Sequence, residues 1–142
     1  MAIIVTGTPG TGKTTFAKEL AAQKGYEYRD INYFIKKYKL SAVKDKTRDA
    51  RVVDEKKFSQ AVQKELQKNK NIIIDSHFSH DIPAKYIEAC YVMKTDIKTL
   101  KQRLEARKYS EAKIRENLDA EIFDTCRQEA KEAGHNVITI LT

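Results

Sequence analysis

Gly7-Thr8-Pro9-Gly10-Thr11-Gly12-Lys13-Thr14, followed by Thr15, reads G-x-x-x-x-G-K-[ST], the Walker A phosphate-binding loop. Its surroundings match what the loop needs. The apolar run Ala2-Ile3-Ile4-Val5 before it reads as a buried strand, and Phe16-Ala17-Lys18-Glu19-Leu20-Ala21-Ala22 after it reads as an amphipathic helix. Glycines let backbone N–H groups close around phosphate oxygens, and the N-terminus of the following helix adds positive potential. In such a loop Lys13 reaches the β- and γ-phosphates of a nucleotide and the Thr14 hydroxyl ligates Mg²⁺. The competing reading is a glycine-rich turn that fits the pattern by accident, and strand-loop-helix context argues against it.

The rest of the chain repeats the alternation. Gly25 is placed to end the first helix, Tyr26-Glu27-Tyr28 reads as a short strand, and residues 31 to 38 read as a helix. Residues 41 to 53 are polar and charged and read as a mobile segment. Phe58, Val62 and Leu66 form one stripe of a helix from about Asp54 to Lys68. Ile72-Ile73-Ile74 is a continuous apolar run closed by Asp75, the pattern of a parallel strand covered on both faces. Ser76 to Pro83 reads as a loop and Ala89-Cys90-Tyr91-Val92-Met93 as a strand. Ile97, Leu100 and Leu104 mark a helix that sets Arg103 and Arg107 on one face. Ser110 caps a longer helix whose expected buried stripe is Ile114, Leu118, Ile122, Cys126 and Ala130, and 136 to 141 form a last strand. Strands alternating with helices predict an α/β domain around a parallel sheet.

Bulk properties narrow the function classes. A chain of 142 residues is expected to be one domain, long enough to bury about two-thirds of its unfolded surface. There is no run of 18 apolar residues, so no membrane span is expected, and no export leader is expected ahead of so early a loop. Cys90 and Cys126 are isolated and read as buried free thiols of a cytoplasmic protein, and the histidines stand at no zinc-ligand spacing to them. A net charge of +7 and a pI of about 9.3 suit anionic partners, namely nucleotides and, as a further option, nucleic acid.

Beyond the loop, Asp75 stands where open parallel sheets place their ligand chemistry, at the C-terminal end of a strand. That is the Walker B position, from which an aspartate holds Mg²⁺, making Thr14 and Asp75 the expected metal pair. The alternative is an aspartate that merely ends a strand. His77, two residues on, could orient water or an acceptor beside a γ-phosphate. Arg103 and Arg107 are the candidate transition-state cations, because guanidinium groups neutralise charge spread over equatorial phosphate oxygens.

Taken together, GTPGTGKTT, Arg51-Val52-Val53-Asp54-Glu55, Asp75-Ser76-His77, the run from Arg103 to Ser110 and the run from Asn117 to Phe123 resemble the adenylate kinase isoenzyme 6 family, also called coilin-interacting nuclear ATPase, with archaeal relatives. The resemblance spans about residues 3 to 125. It implies a single P-loop nucleoside-monophosphate-kinase-like three-layer domain over 1–142, with five parallel strands in the order 2-3-1-4-5. It implies ATP binding at Gly10, Gly12, Lys13, Thr14 and Thr15, with Arg107 also touching ATP. It also implies a nucleoside-monophosphate region at about 30–53 and a short lid at about 106–116. Members of the family combine weak adenylate kinase activity on ATP, AMP and ADP with ATP hydrolysis. They assist small ribosomal subunit maturation and rRNA processing, and they bind the ribosomal protein uS11. Two departures stand out. The helix of residues 31 to 38 offers Lys36 and Lys37 where adenylate kinases hold the AMP phosphate with arginines. The sequence given also ends at Thr142, directly after the last strand, where relatives continue.

Two classes of function follow. One is an enzyme moving the γ-phosphoryl of ATP to AMP or to water, with Lys44, Lys46, Arg48 and Arg51 on the acceptor side. The other is a nucleotide-gated binding module for ribosome assembly, for which rRNA is a possible further partner. Another small-metabolite P-loop kinase is the third reading, since a fold does not fix the acceptor.

Overall fold

β1 (Ala2–Gly7) is buried at all six positions because it lies in the middle of a sheet covered on both faces. The computed structural model describes residues 1–40, 42–45, 50–77 and 82–142, with the backbone alone over 42–45 and 50–53. In chain order the elements are β1, α1 (Lys13–Lys24), β2 (Glu27–Asp30), α2 (Ile31–Tyr38), β3 (Ala42–Asp45), β4 (Ala50–Val53), α3 (Glu55–Lys68), β5 (Ile72–Asp75), a 3₁₀ turn (Ala84–Tyr86), β6 (Ile87–Lys94), α4 (Ile97–Ala106), α5 (Glu111–Ile122), α6 (Thr125–Glu132) and β7 (Val137–Leu141). The main sheet runs β2-β5-β1-β6-β7 with every pair parallel. Numbering its strands in chain order gives the expected 2-3-1-4-5.

The period-2 alternation of strand side chains sorts the core into two layers. Ile3, Val5, Ile73 and Met93 pack with Ala17 and Ala21 of α1 on one face. Ile4, Ile72, Ile74 and Val92 pack on the other with Phe34 of α2, Phe58 and Val62 of α3, and Ala130 of α6. The Phe34 and Phe58 rings meet edge to face at 5.4 Å. From β5 on one side of β1, the chain crosses to β6 on the other. The loop after β1 therefore stands at the switch in strand order, where a crevice opens.

One local expectation gains strands and another is corrected; residues 41 and 46–49 of the first lie outside the described residues. The segment read as mobile contains β3 and β4, paired antiparallel from Ala42↔Val53 to Asp45↔Ala50, with Val43 opposite Val52. β-branched residues at facing positions favour such a ladder. The long helix expected after Ser110 is two helices. Asp124 takes a left-handed φ of 58°, α6 restarts beyond it, and Ile122 and Phe123 are exposed at 59% and 72%. Lys94, at the end of β6, explains the break. Its Nζ lies 3.1 Å from Glu121 Oε1 and 3.0 Å from Asp124 Oδ1, and it donates to the Glu121 carbonyl, tying down the point where the helix would have continued. Cys90 is buried and Cys126 half-buried, both free, and burial pushes their thiols up to about 12 and about 11. Among the described residues no helix is long and apolar enough to cross a membrane.

Candidate nucleotide site

Gly7 is required by close packing. A Cβ there would stand 2.8 Å from Thr11 Oγ1 and 2.9 Å from the Met93 carbonyl, at a φ of 150°. The loop is braced internally: Thr11 donates to the Thr8 carbonyl from its N–H at 3.2 Å and from its hydroxyl at 2.6 Å. Gly12, at φ 85°, is the N-cap of α1 and offers no side-chain oxygen to it. The first N–H groups of α1 are thereby left to a ligand, and they carry the positive end of the helix. A Cβ on Gly12 would meet nothing within 4 Å, so open space adjoins the loop where phosphates would lie.

The Walker residues converge. Asp75 pairs in register with Val5 on one side and Asp30 on the other, and the Ser76 N–H donates to the Val5 carbonyl. The Thr14 hydroxyl donates to Asp75 Oδ2 at 2.9 Å, and Lys13 Nζ lies 3.8 Å from Oδ1. A hydroxyl and a carboxylate are hard oxygen donors, and they fit Mg²⁺ better than softer ions. Sequence reasoning gave Tyr28 no role, yet its hydroxyl donates to the same Asp75 Oδ2 at 2.5 Å. His77 follows at the mouth of a cavity of about 180 Å³ also lined by Thr8, Pro9, Glu55, Asn117 and Glu129. Desolvation by the surrounding protein and then the Lys13 cation push the His77 imidazole down to about 4, against the pull of Asp75.

On the other side of the loop a cleft of about 440 Å³ is lined by Gly10, Gly12, Thr15, Phe16, Arg103 and Arg107, among others. The structure thus brings together all the sequence-derived phosphate residues and both arginines, but the two arginines differ. Arg103 Nη1 donates to the Gly10 carbonyl at 3.0 Å and to Thr95 Oγ1 at 3.4 Å, so it braces the loop. Arg107 caps α4 on the exposed side, and its contact is to Tyr109 at 3.5 Å. Glu121, unforeseen from sequence, is buried in α5. It accepts from the Thr8 hydroxyl at 3.1 Å and the Thr95 N–H at 2.8 Å.

The α2 side is also tied up. Lys37 Nζ lies 2.8 Å from Glu65 Oε1 and donates to Tyr33. The Arg29 Nε donates to Glu65 at 3.3 Å, and the Tyr38 and Tyr33 hydroxyls donate to it as well. Burial alone would raise the Glu65 carboxyl. Donation from Lys37, Tyr33, Tyr38 and Arg29 outweighs it and holds Glu65 down at about 2. Lys36 remains exposed. Of the expected acceptor-side cations, Lys46 and Arg48 lie outside the described residues, and Lys44 and Arg51 are described by backbone alone.

Residues 3–124 match the family model described as AAA domain. Over 139 residues the chain is 40% identical to a protein of Methanocaldococcus jannaschii named "Putative adenylate kinase", covering 98% of this chain and 77% of that one. It is 32% identical over 132 residues to the adenylate kinase isoenzyme 6 homolog of Caenorhabditis elegans, covering 92% and 72%. The chain belongs to the adenylate kinase isoenzyme 6 family. Members of this family share the P-loop kinase fold with more distant proteins. A sugar kinase from Janibacter superposes with a TM-score of 0.63 at 14% identity, over 99% of this chain and 84% of that one. Shikimate kinase from Aquifex aeolicus gives 0.61 at 14%, over 99% and 85%. At such identities the likeness concerns the fold alone. The adenylate kinase isoenzyme 6 relatives carry the kinase assignment of the family.

Proposed function

We propose that this protein is an adenylate kinase with ATPase activity, using ATP with Mg²⁺ and passing the γ-phosphoryl to AMP or to water. The observation that carries the reading is the convergence of Lys13, Thr14 and Asp75 beside an uncapped helix N-terminus in a chain of this family. In the forward step an acceptor oxygen bonds to the γ-phosphorus as the bond to the β–γ bridging oxygen breaks, ADP leaves, and the acceptor's proton is lost. Gly10, Gly12, Lys13, Thr14 and Thr15 hold the phosphates, and Arg107 meets the charge that spreads over the transferred group. Thr14 and Asp75 would hold Mg²⁺, which supplies charge neutralisation when bound. Arg103 acts through the Gly10 carbonyl it fixes. His77, held neutral, can accept a hydrogen bond from water or acceptor.

One observation favours water as a real competitor. Lys37, a candidate for the AMP phosphate, is already committed to Glu65. The resemblance further supports a role in small ribosomal subunit maturation through uS11, with the nucleotide state setting the affinity.

The test is ADP formation from ATP and Mg²⁺ with and without AMP, in wild type and in Lys13→Ala. The expected result is AMP-stimulated ADP formation over a slower AMP-independent rate, both lost in Lys13→Ala with the fold retained. Wild-type turnover in a folded Lys13→Ala protein would overturn the site. No response to AMP would leave hydrolysis or another acceptor. The uS11 arm is a titration of an ATP analogue with and without uS11, whose couplings must be equal in both directions. Equal analogue affinities despite uS11 binding would remove the nucleotide gate.

A further inference from the structure

Asp75 ends its strand with its carboxylate held from two sides, and only one of the donors belongs to the Walker loop. In the parallel β2–β5 ladder Tyr28 lies opposite Ile73. Ile73 and Asp75 are two residues apart and so project from the same face, the face covered by α1. The Tyr28 ring packs in that same layer, with Lys18 Nζ 5.4 Å from its centroid. A tyrosine at this position spans one diagonal of the ladder and delivers its hydroxyl to the end of the neighbouring strand. Oδ2 of Asp75 then receives two hydroxyls, Tyr28 at 2.5 Å and Thr14 at 2.9 Å, while Oδ1 faces Lys13 at 3.8 Å.

We propose that Tyr28 is a positioning residue for metal binding: it fixes the plane of the Asp75 carboxylate so that Oδ1 is presented to the phosphate loop. The inference rests on the reading of Asp75 as the carboxylate that holds Mg²⁺. Without the phenol, Oδ2 keeps the Thr14 hydroxyl, itself to be shared with the metal, and Oδ1 keeps the Lys13 cation at 3.8 Å, a looser hold on the carboxylate plane. Outer donors of this kind typically contribute about 10–100-fold to metal affinity.

The experiment is a Mn²⁺ titration followed by electron paramagnetic resonance, with a saturating non-hydrolysable ATP analogue. It compares wild type, Tyr28→Phe, Asp75→Asn and Tyr26→Phe. Tyr28→Phe keeps the ring and is expected to weaken Mn²⁺ binding by about 10–100-fold. Analogue affinity in EDTA and the thermal midpoint should stay near wild type, and in turnover the Mg²⁺ requirement should rise more than the maximal rate falls. Tyr26→Phe, which removes only an exposed hydrogen bond to Glu88, should match wild type. A Tyr28→Phe titration that overlays wild type while Asp75→Asn is weakened overturns the role of Tyr28. An Asp75→Asn titration that overlays wild type overturns the underlying metal reading instead. If Tyr28→Phe folds poorly, wild type labelled at tyrosine Cζ gives the same decision: the Tyr28 resonance must shift when metal joins the analogue complex, and a resonance that does not move refutes the proposal.

Discussion

Replacing Glu65 by glutamine tests a carboxylate that accepts from four side chains. Its side chain is 4% exposed and accepts from Lys37, Arg29, Tyr33 and Tyr38, which joins β2, α2 and α3. The native carboxyl is held at about 2 against an ordinary 4.5. Between these values the unfolded chain takes up a proton that the native protein refuses. The stabilisation is therefore complete above about pH 4.5 and is lost as pH falls toward 2. Two and a half units at about 1.4 kcal/mol each give about 3 kcal/mol, the same order as breaking a buried pair by removing one partner. Glutamine keeps the volume but offers one acceptor oxygen and turns an N–H₂ toward Lys37 or Arg29. Urea unfolding followed by far-UV circular dichroism should show the variant about 3 kcal/mol less stable at pH 7, a midpoint lower by about 1–3 M for m-values near 1–3 kcal/mol/M. The gap should close to below about 1 kcal/mol by pH 2.5. A gap that stays constant from pH 7 to 2.5, or that is under about 0.5 kcal/mol at pH 7, would refute the reasoning.

The two arginines should separate kinetically. Arg107→Ala should lower kcat with a partial return in Arg107→Lys, because lysine cannot make a planar bidentate contact. Arg103→Ala should mainly raise the KM for ATP and lower stability by about 1.5–3 kcal/mol, with Arg103→Lys largely restored, because one donor suffices for the Gly10 carbonyl. Identical behaviour of the two series in steady-state kinetics and melting would contradict the distinct contacts. The His77 ring proton shifts, followed by NMR in the free protein, should titrate near 4 rather than 6.5 and move upward when an ATP analogue brings negative charge beside the ring. A free-protein midpoint between 6 and 7 would show that Lys13 and the surrounding protein do not act on it as described.

The frame was legible from sequence because its signals are local. Walker A is contiguous, and the runs Ala2 to Val5 and Ile72 to Ile74 announce central strands without any partner being known. Asp75 was legible as the polar stop to such a run. Tyr28, Glu65 and Glu121 were not, because each works through a partner distant in the chain: 47 residues separate Tyr28 from Asp75, and 113 separate Thr8 from Glu121. A glutamate at position 65 fits a solvated helix face as well as a buried one until Lys37 and Arg29 are placed around it. The break before α6 was hidden for the same reason. The apolar spacing continues through it, and only Lys94, 30 residues upstream of Asp124, shows why the helix does not.

The Glu121 contacts also bear on how α5 is held to the phosphate loop. Because one carboxylate accepts from the Thr8 hydroxyl and from the Thr95 amide, and is paired with Lys94, α5 cannot swing as a lever without stripping acceptors from the floor of the site. The segment between α4 and α5 is only residues 107–110, with Lys108 at a left-handed φ of 57°. A four-residue turn leaves only a few backbone dihedrals between the two helices. Motion about a turn of this length belongs to the nanosecond-to-microsecond regime of loops rather than the slower one of domain closure.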